Sequence, residues 1–328
     1  MRARTALSVL VLAAVAVPFL VVSAAADPWT FSKGEWSSTI EGSLFSAPTY
    51  YDATGARLDL GYTTEQRVLR ATSELGWKNH VSVLFGLPAM SVTRSAGTAS
   101  ATMTGLQDVR LGVKIGLMNG ATAAAVRFDW NAPLGYDRKL GAYGLVLGDG
   151  LIYADSLGAA QTVDGLQQLG AHLELGTAVA NRAFLQGSIG YGYRYFSFGK
   201  REKTVEALRE RDDAGKLIRT HASWGLWADQ LLTSADLGLW VSRTVLVGGR
   251  YRGVNTLSEG PLFRETNQQL AGPIVLVRVD DRLDMLAGSW STASGKNALH
   301  YDQFYVSVAF HQTKLNRLQG FSGGSQAH

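Results

Sequence analysis

Apolar and polar residues alternate with a period of two along most of this chain. The clearest stretch is Leu106 to Leu117. Val109, Leu111, Val113, Ile115 and Leu117 fall on one parity, and Asp108, Arg110, Gly112, Lys114 and Gly116 on the other. A β-strand sends successive side chains to opposite faces, so this segment has one apolar face and one charged face. Alone, it fits a soluble sandwich or a membrane barrel equally well. Twelve such segments are predicted, near 35–46, 65–77, 79–93, 105–118, 122–133, 166–179, 183–196, 228–240, 244–254, 271–279, 283–292 and 301–312. Most run about ten residues or more, the length of a tilted strand crossing a bilayer, whereas soluble strands run about five or six.

The connections separate the two cases. Short ones are predicted at 77–79, 118–121, 180–182, 241–243 and 280–282. Asn119-Gly120 is a turn pair that accepts positive φ. Long ones are predicted near 47–64, 94–104, 134–165, 197–227, 255–270 and 293–300. Short turns at one end, long loops at the other and an even strand count predict an all-β fold: a single antiparallel transmembrane β-barrel with short periplasmic turns and long extracellular loops. About twelve strands are expected. A Gly148-Asp149-Gly150 turn between Tyr143 and Tyr153 would raise the count to fourteen if its arms joined the wall.

Parity then assigns faces. Lipid-facing candidates are Val81, Val83, Phe85, Val126, Phe128, Trp130, Leu173, Leu175, Ile189, Tyr191, Tyr193, Val245, Val247, Val275, Val277, Phe304, Val306, Val308 and Phe310. Lumen-lining candidates are Glu41, Arg70, Glu74, His80, Asp108, Arg110, Lys114, Arg127, Asp129, His172, Glu174, Arg194, Asp236, Arg250, Arg252, Arg278 and Asp284. An arginine in the lipid midplane costs about 2–4 kcal/mol, so this segregation follows from the solvent on each side. On the same reasoning Lys114→Ala, a change on the inner face, is expected to be tolerated.

The first residues add a compartment. Arg2 and Arg4, an apolar run from Ala6 to Val22 and small residues at Ser23-Ala24-Ala25-Ala26 predict a secretory signal peptide over 1–26. The barrel is expected over 27–312 and a polar tail over 313–328. No cysteine is present, so an exported chain this long needs a large core or a closed barrel for stability. The net charge of +4 is small for 328 residues and does not point to nucleic acid.

Candidate chemistry is sparse. The interior charges read either as a ladder of ion pairs filling a narrow barrel or as a polar conduit. His80-x-Ser82 is the spacing of a base and a nucleophile, but lumen parity turns it away from lipid, and no enzyme is expected. The six histidines share no ligand spacing, so neither metal nor cofactor is implied. Tyr143, Leu145, Leu147, Leu151 and Tyr153 form an apolar hairpin among the outer loops, readable as a self-packed unit or a lid. The basic residues of 197–227 would face lipopolysaccharide phosphates, and 204–212 could hold a helical turn. Gly86 and Pro88 interrupt the third strand, where a missing amide marks either the strand's exit from the bilayer or a lateral gate.

Gly105-Leu106-Gln107-Asp108-Val109-Arg110-Leu111-Gly112 resembles a strand of the meta-pathway phenol-degradation outer-membrane proteins, barrels in the style of the long-chain fatty-acid transporters. Phe128 to Gly135, ending in Pro133-Leu134-Gly135, resembles their next strand, and Gly295-Lys296-Asn297 with Phe304 to Phe310 their closing hairpin. The resemblance implies a channel or transporter for small hydrophobic or aromatic solutes in the cell outer membrane. Lipid, lipopolysaccharide and the barrel-assembly machinery would be its partners. The chain departs from the transporters in its short segment before strand one, too brief for their internal plug, and in the tail after Phe310. A structural or adhesive barrel acting through its loops, and a lipid-modifying barrel enzyme, are the alternatives.

Overall fold

The computed structural model describes residues 28–52, 54–96, 99–132, 146–147, 150–151, 167–179, 182–195, 209–211, 217–220, 229–257, 267–296 and 298–312. Its strands are β1 (Trp36–Tyr51), β2 (Arg57–Lys78), β3 (Val81–Ala96), β4 in two pieces (Ala99–Leu106 and Val109–Asn119), β5 (Thr122–Ala132), β6 (Gln167–Val179), β7 (Ala183–Tyr195), β8 (Gln230–Trp240), β9 (Val245–Thr256), β10 (Asn267–Asp280), β11 (Leu283–Lys296) and β12 (Ala298–Gln312). Each pairs antiparallel with its sequence neighbours, and β12 returns to β1 from Trp36↔Gln312 to Tyr51↔Ala298. The result is a closed twelve-stranded barrel. Val146–Leu147 with Gly150–Leu151 makes a separate two-stranded ladder, so that hairpin does not raise the count to fourteen.

Three expected loops are largely strand. β1 and β2 are joined by residues 52–56, β3 and β4 by 97–98, and β11 and β12 by residue 297 alone. Alternation there is brief, as at Leu58, Leu60 and Tyr62, and breaks off among polar and small residues, yet the ladders continue. Beyond the hydrocarbon both faces of a strand meet polar surroundings, so backbone pairing alone sustains it. Long connections remain at 133–166, 196–229 and 257–266. In the second, Arg209–Arg211 pairs with Leu217–Thr220. A strand therefore stands at 209–211, within the 204–212 stretch where a helical turn was expected.

The wall follows the two-residue period. Leu111, Val113, Ile115, Leu117, Phe128, Leu173, Leu175, Ile189, Val275, Val277, Phe304 and Val306 point outward and are exposed. Residues one position away are buried: Lys114, Arg127, Asp129, His172, Glu174, Asp236, Arg250 and Asp284. An apolar outside and a polar, packed inside suit a bilayer.

At the loop end, β2 bulges between Asp59 and Thr64, where Gly61 takes φ 72°. Glycine meets that backbone conformation without a Cβ penalty. At the tip of the β1–β2 hairpin the Thr54 hydroxyl, 2.7 Å from Asp52 Oδ1, holds the Asp52 carboxyl below the usual carboxylate range, helped by the amides of Thr54 and Ala56.

The outward parity makes a direct prediction. Val113→Arg puts a charge on the lipid face of β4 at a cost of about 2–4 kcal/mol. Folded, heat-modifiable barrel recovered from membranes should fall well below wild type. Unchanged yield would contradict the face assignment.

Candidate channel lumen

The inner surface divides into two chemistries. Strands β2 to β6 carry an ion network. Asp129 on β5 receives Arg110 from β4, Arg127 Nε at 3.0 Å and His172 Nε2 at 3.4 Å. Arg127 also contacts Glu174 on β6. Lys114 Nζ lies 2.7 Å from Glu74 Oε2 across β3. Both side chains are buried, which corrects the expectation that Lys114→Ala would be tolerated. Breaking a buried pair strands a charge, whereas replacing both members by apolar residues often costs little.

Strands β7 to β12 carry aromatic and aliphatic groups instead. Leu246, Ile274, Trp290 and Tyr305 are buried together on the inside, with Phe184, Trp240, Leu270, Leu276 and Leu286 packed on them. Trp290 stacks on Tyr305 at 6.1 Å and lies under the guanidiniums of Arg250 (5.4 Å) and Arg252 (4.9 Å). Arg250 Nε pairs with Asp236 Oδ1 at 3.1 Å. Arg278 lies over Trp240 at 4.8 Å and near Asp284 at 3.5 Å. Toward the loop end, Phe45, Ala47, Leu299 and Tyr301 form an inward apolar collar, joined by Tyr50, Leu60 and Leu270. Arg70 Nη1 meets Glu41 Oε1 at 2.9 Å.

Inward glycines make room for these groups. A Cβ on Gly190 would sit 2.2 Å from His172 Nδ1, and one on Gly170 2.3 Å from Asp129 Oδ1. Gly238 faces the Phe184 ring and Gly288 the Tyr305 hydroxyl, each at a distance no Cβ could keep. A large or charged side chain on one strand thus projects over a glycine on the next.

The same device admits residues 28–35, which precede β1, at the turn end. Trp29 Nε1 donates to Gly120 O at 2.8 Å, Asn119 Nδ2 donates to Thr30 O at 3.3 Å, and Phe31 N donates to Ser82 Oγ at 2.9 Å. Cβ atoms on inward Gly76, Gly116 and Gly176 would meet Ser32 O at 1.9 Å, Thr30 Oγ1 at 2.5 Å and Pro28 Cγ at 2.6 Å. Thr30 and Phe31 are buried. Residues 28–35 therefore lie inside the turn end of the barrel, against β2, β3, β4 and β6. The segment judged too short to plug the barrel does occupy part of its mouth. Eight residues suffice because the lumen is narrow.

Parity brings Glu41, Arg70, Glu74, Asp108, Arg110, Lys114, Arg127, Asp129, His172, Glu174, Arg194, Asp236, Arg250, Arg252, Arg278 and Asp284 to the inside. His80 departs from this. It sits exposed in the β2–β3 turn with φ 64°, because the tight turn consumes the position that parity assigned to a strand. Ser82 is buried and holds Phe31, so His80 and Ser82 do not form a pair. Leu147 and Leu151 lie in the short separate ladder, while Tyr143, Leu145 and Tyr153 fall outside the described residues.

Gly86 and Pro88 flank a bulge. β3 pairs with β4 at Gly86↔Arg110 and again at Ala89↔Leu106, with Gln107 and Asp108 bulged between. Gln107 N donates to Pro88 O at 2.9 Å. A residue's amide and carbonyl face the same neighbouring strand, so the missing Pro88 donor faces the bulge, where no regular partner waits. On the other side the ladder runs through Arg70↔Pro88 without a break. The wall is closed at this point.

Sequence reasoning missed the inward rings. Trp290 shares parity with the inner Asp284, and Tyr301 and Tyr305 lie on the parity opposite to Phe304, Val306, Val308 and Phe310; that was the available signal. It was masked because aromatic residues also populate the lipid face.

No family model matches the chain, and no curated protein matches it in sequence. Solved structures do. The COG4313 outer membrane channel from Pseudomonas putida F1 superposes with a TM-score of 0.61 at 9% identity, over 89% of this chain and 100% of that one. The chain shares that channel's fold. The β domain of the Bordetella autotransporter BrkA gives a TM-score of 0.49 at 14% identity over 86% of this chain and 100% of that one. The CymD monoaromatic hydrocarbon channel gives 0.41 at 8% identity over 86% and 89%.

Two expectations follow from this geometry. Lys114→Ala should lower unfolding stability by about 3–5 kcal/mol, and Lys114→Met with Glu74→Leu should recover most of it. Urea titration in detergent or lipid checks this, and equal losses in the two variants would contradict the buried pair. Gly116→Val with Gly176→Val should expel residues 28–35 from the turn end. Single-channel conductance should then rise while barrel yield holds. Unchanged conductance would mean that the segment does not restrict the passage.

Proposed function

We propose that this protein is an outer-membrane channel for small hydrophobic or aromatic molecules. The observation that carries this reading is the apolar collar of Phe45, Leu299 and Tyr301 inside the loop end, above a charged waist. A lumen serving only as a filled scaffold has no need of rings at its entrance, whereas an aromatic solute leaving water gains from them. The fold shared with the Pseudomonas putida channel supports a conducting role. Loops outside and turns in the periplasm give the orientation, with lipopolysaccharide around the loop end and insertion by the barrel-assembly machinery. The likeness of the β4 sequence to the phenol-degradation outer-membrane proteins supports the same solute class.

The test is reconstitution. Purified barrel in planar bilayers should show discrete conductance, and liposomes carrying it should swell in a small neutral aromatic such as benzyl alcohol faster than protein-free ones, after correction for leakage. Phe45→Ala with Tyr301→Ala should raise conductance about twofold by widening the collar. Neither conductance nor solute entry from folded protein would contradict the reading.

A further inference from the structure

The inner charges are nearly balanced in number but not in exposure. The paired carboxylates are covered: side-chain exposure is 15% for Glu41, 6% for Asp236, 4% for Asp284, 2% for Glu74 and Asp129, and 1% for Glu174. The guanidiniums of Arg70 and Arg110 keep 34% and 24%. Lys114, Arg127, Arg250 and Arg278 are covered like their partners, so Arg70 and Arg110 are the paired charges, among the described residues, that keep exposure on the inner face.

Arg252 sharpens this. It is half-buried and turned inward on β9. Its guanidinium lies over Trp290 and within electrostatic reach of Arg250, Asp236, Glu41 and Arg70. Yet among the described residues no carboxylate forms an ion pair with it, since Asp236 is taken by Arg250 and Glu41 by Arg70. Stacking on an indole stabilises the cation and leaves its N–H edge free. Leu270, the cross-strand partner of Arg252, packs against the cluster of Phe45, Leu299 and Tyr301, which sets that cluster next to the Arg252 position.

From this juxtaposition we infer that the waist is a binding site for aromatic carboxylates, with the ring on the collar at Phe45 and Tyr301 and the carboxylate on Arg252 and Arg70. The inference rests on the channel reading and narrows its solute class. A neutral aromatic finds the collar but leaves Arg252 without an anion. An aromatic ammonium meets repulsion at the waist. An anion with a ring satisfies both, and guanidinium recognises carboxylate by paired N–H donors.

The test compares three probes of similar size in proteoliposome swelling: sodium benzoate, benzyl alcohol and benzylammonium chloride, with counter-ion controls. Benzoate should enter about tenfold faster than benzylammonium, the effect of one partly screened charge-assisted contact. Arg252→Gln should bring the ratio to within about twofold, Arg70→Gln should reduce it, and Arg252→Lys should retain part of it. Millimolar benzoate should also block chloride current in planar bilayers, less so in Arg252→Gln. Equal entry of benzoate and benzylammonium through wild type overturns the inference while leaving the channel intact. So does an unchanged ratio in folded Arg252→Gln. The wild-type comparison decides the matter even if a variant fails to fold. Absence of all conductance and solute entry overturns the channel reading, and the inference with it.

Discussion

A bilayer core offers no water to a backbone amide or carbonyl, and every other feature of this protein follows from that. Twelve strands can satisfy their own groups only by closing, and β12 does so by pairing with β1 along its whole length. Closure turns one face of every strand to lipid and the other to a shared, narrow interior. It also fixes how irregularity is tolerated. Pro88 cannot donate to a ladder, so it sits where β4 bulges at Gln107 and Asp108, and the wall stays continuous around it.

The narrow interior is packed, and packing needs complementarity across strands. Asp129 gathers Arg110 and His172 from the two neighbouring strands and Arg127 from its own. Glycines on adjoining strands leave the space those side chains fill. Their absent Cβ atoms do for the lumen what small residues do in other close-packed interiors. Residues 28–35 use the same space at the turn end.

Passage through such an interior depends on what remains accessible after packing. On the β7 to β12 side Asp236, Asp284, Arg250, Trp290 and Tyr305 are all covered, while Arg252 lies half-buried over Trp290. The cluster of Phe45, Leu299 and Tyr301 adjoins that surface through Leu270, which packs against both.

The sequence by itself determined the barrel, a count of about twelve strands with fourteen left open, and the inward or outward direction of most side chains. The reason is that the solvent on each face dictates polarity at every second position, and Val113 beside Lys114 is enough to read it. That logic ended wherever the solvent no longer differed between faces. Residues 47–51, 57–64 and 293–296 are strand outside the hydrocarbon, and His80 lies in a turn despite its parity. Tertiary structure alone decided which charges meet, because Lys114 reaches Glu74 across β3 and Asp129 draws on three strands. It alone put residues 28–35 inside the mouth and left Arg252 over an indole with no carboxylate among the described residues. Parity says that a side chain enters the lumen. Strand register, shear and the placement of glycines on other strands say what it finds there.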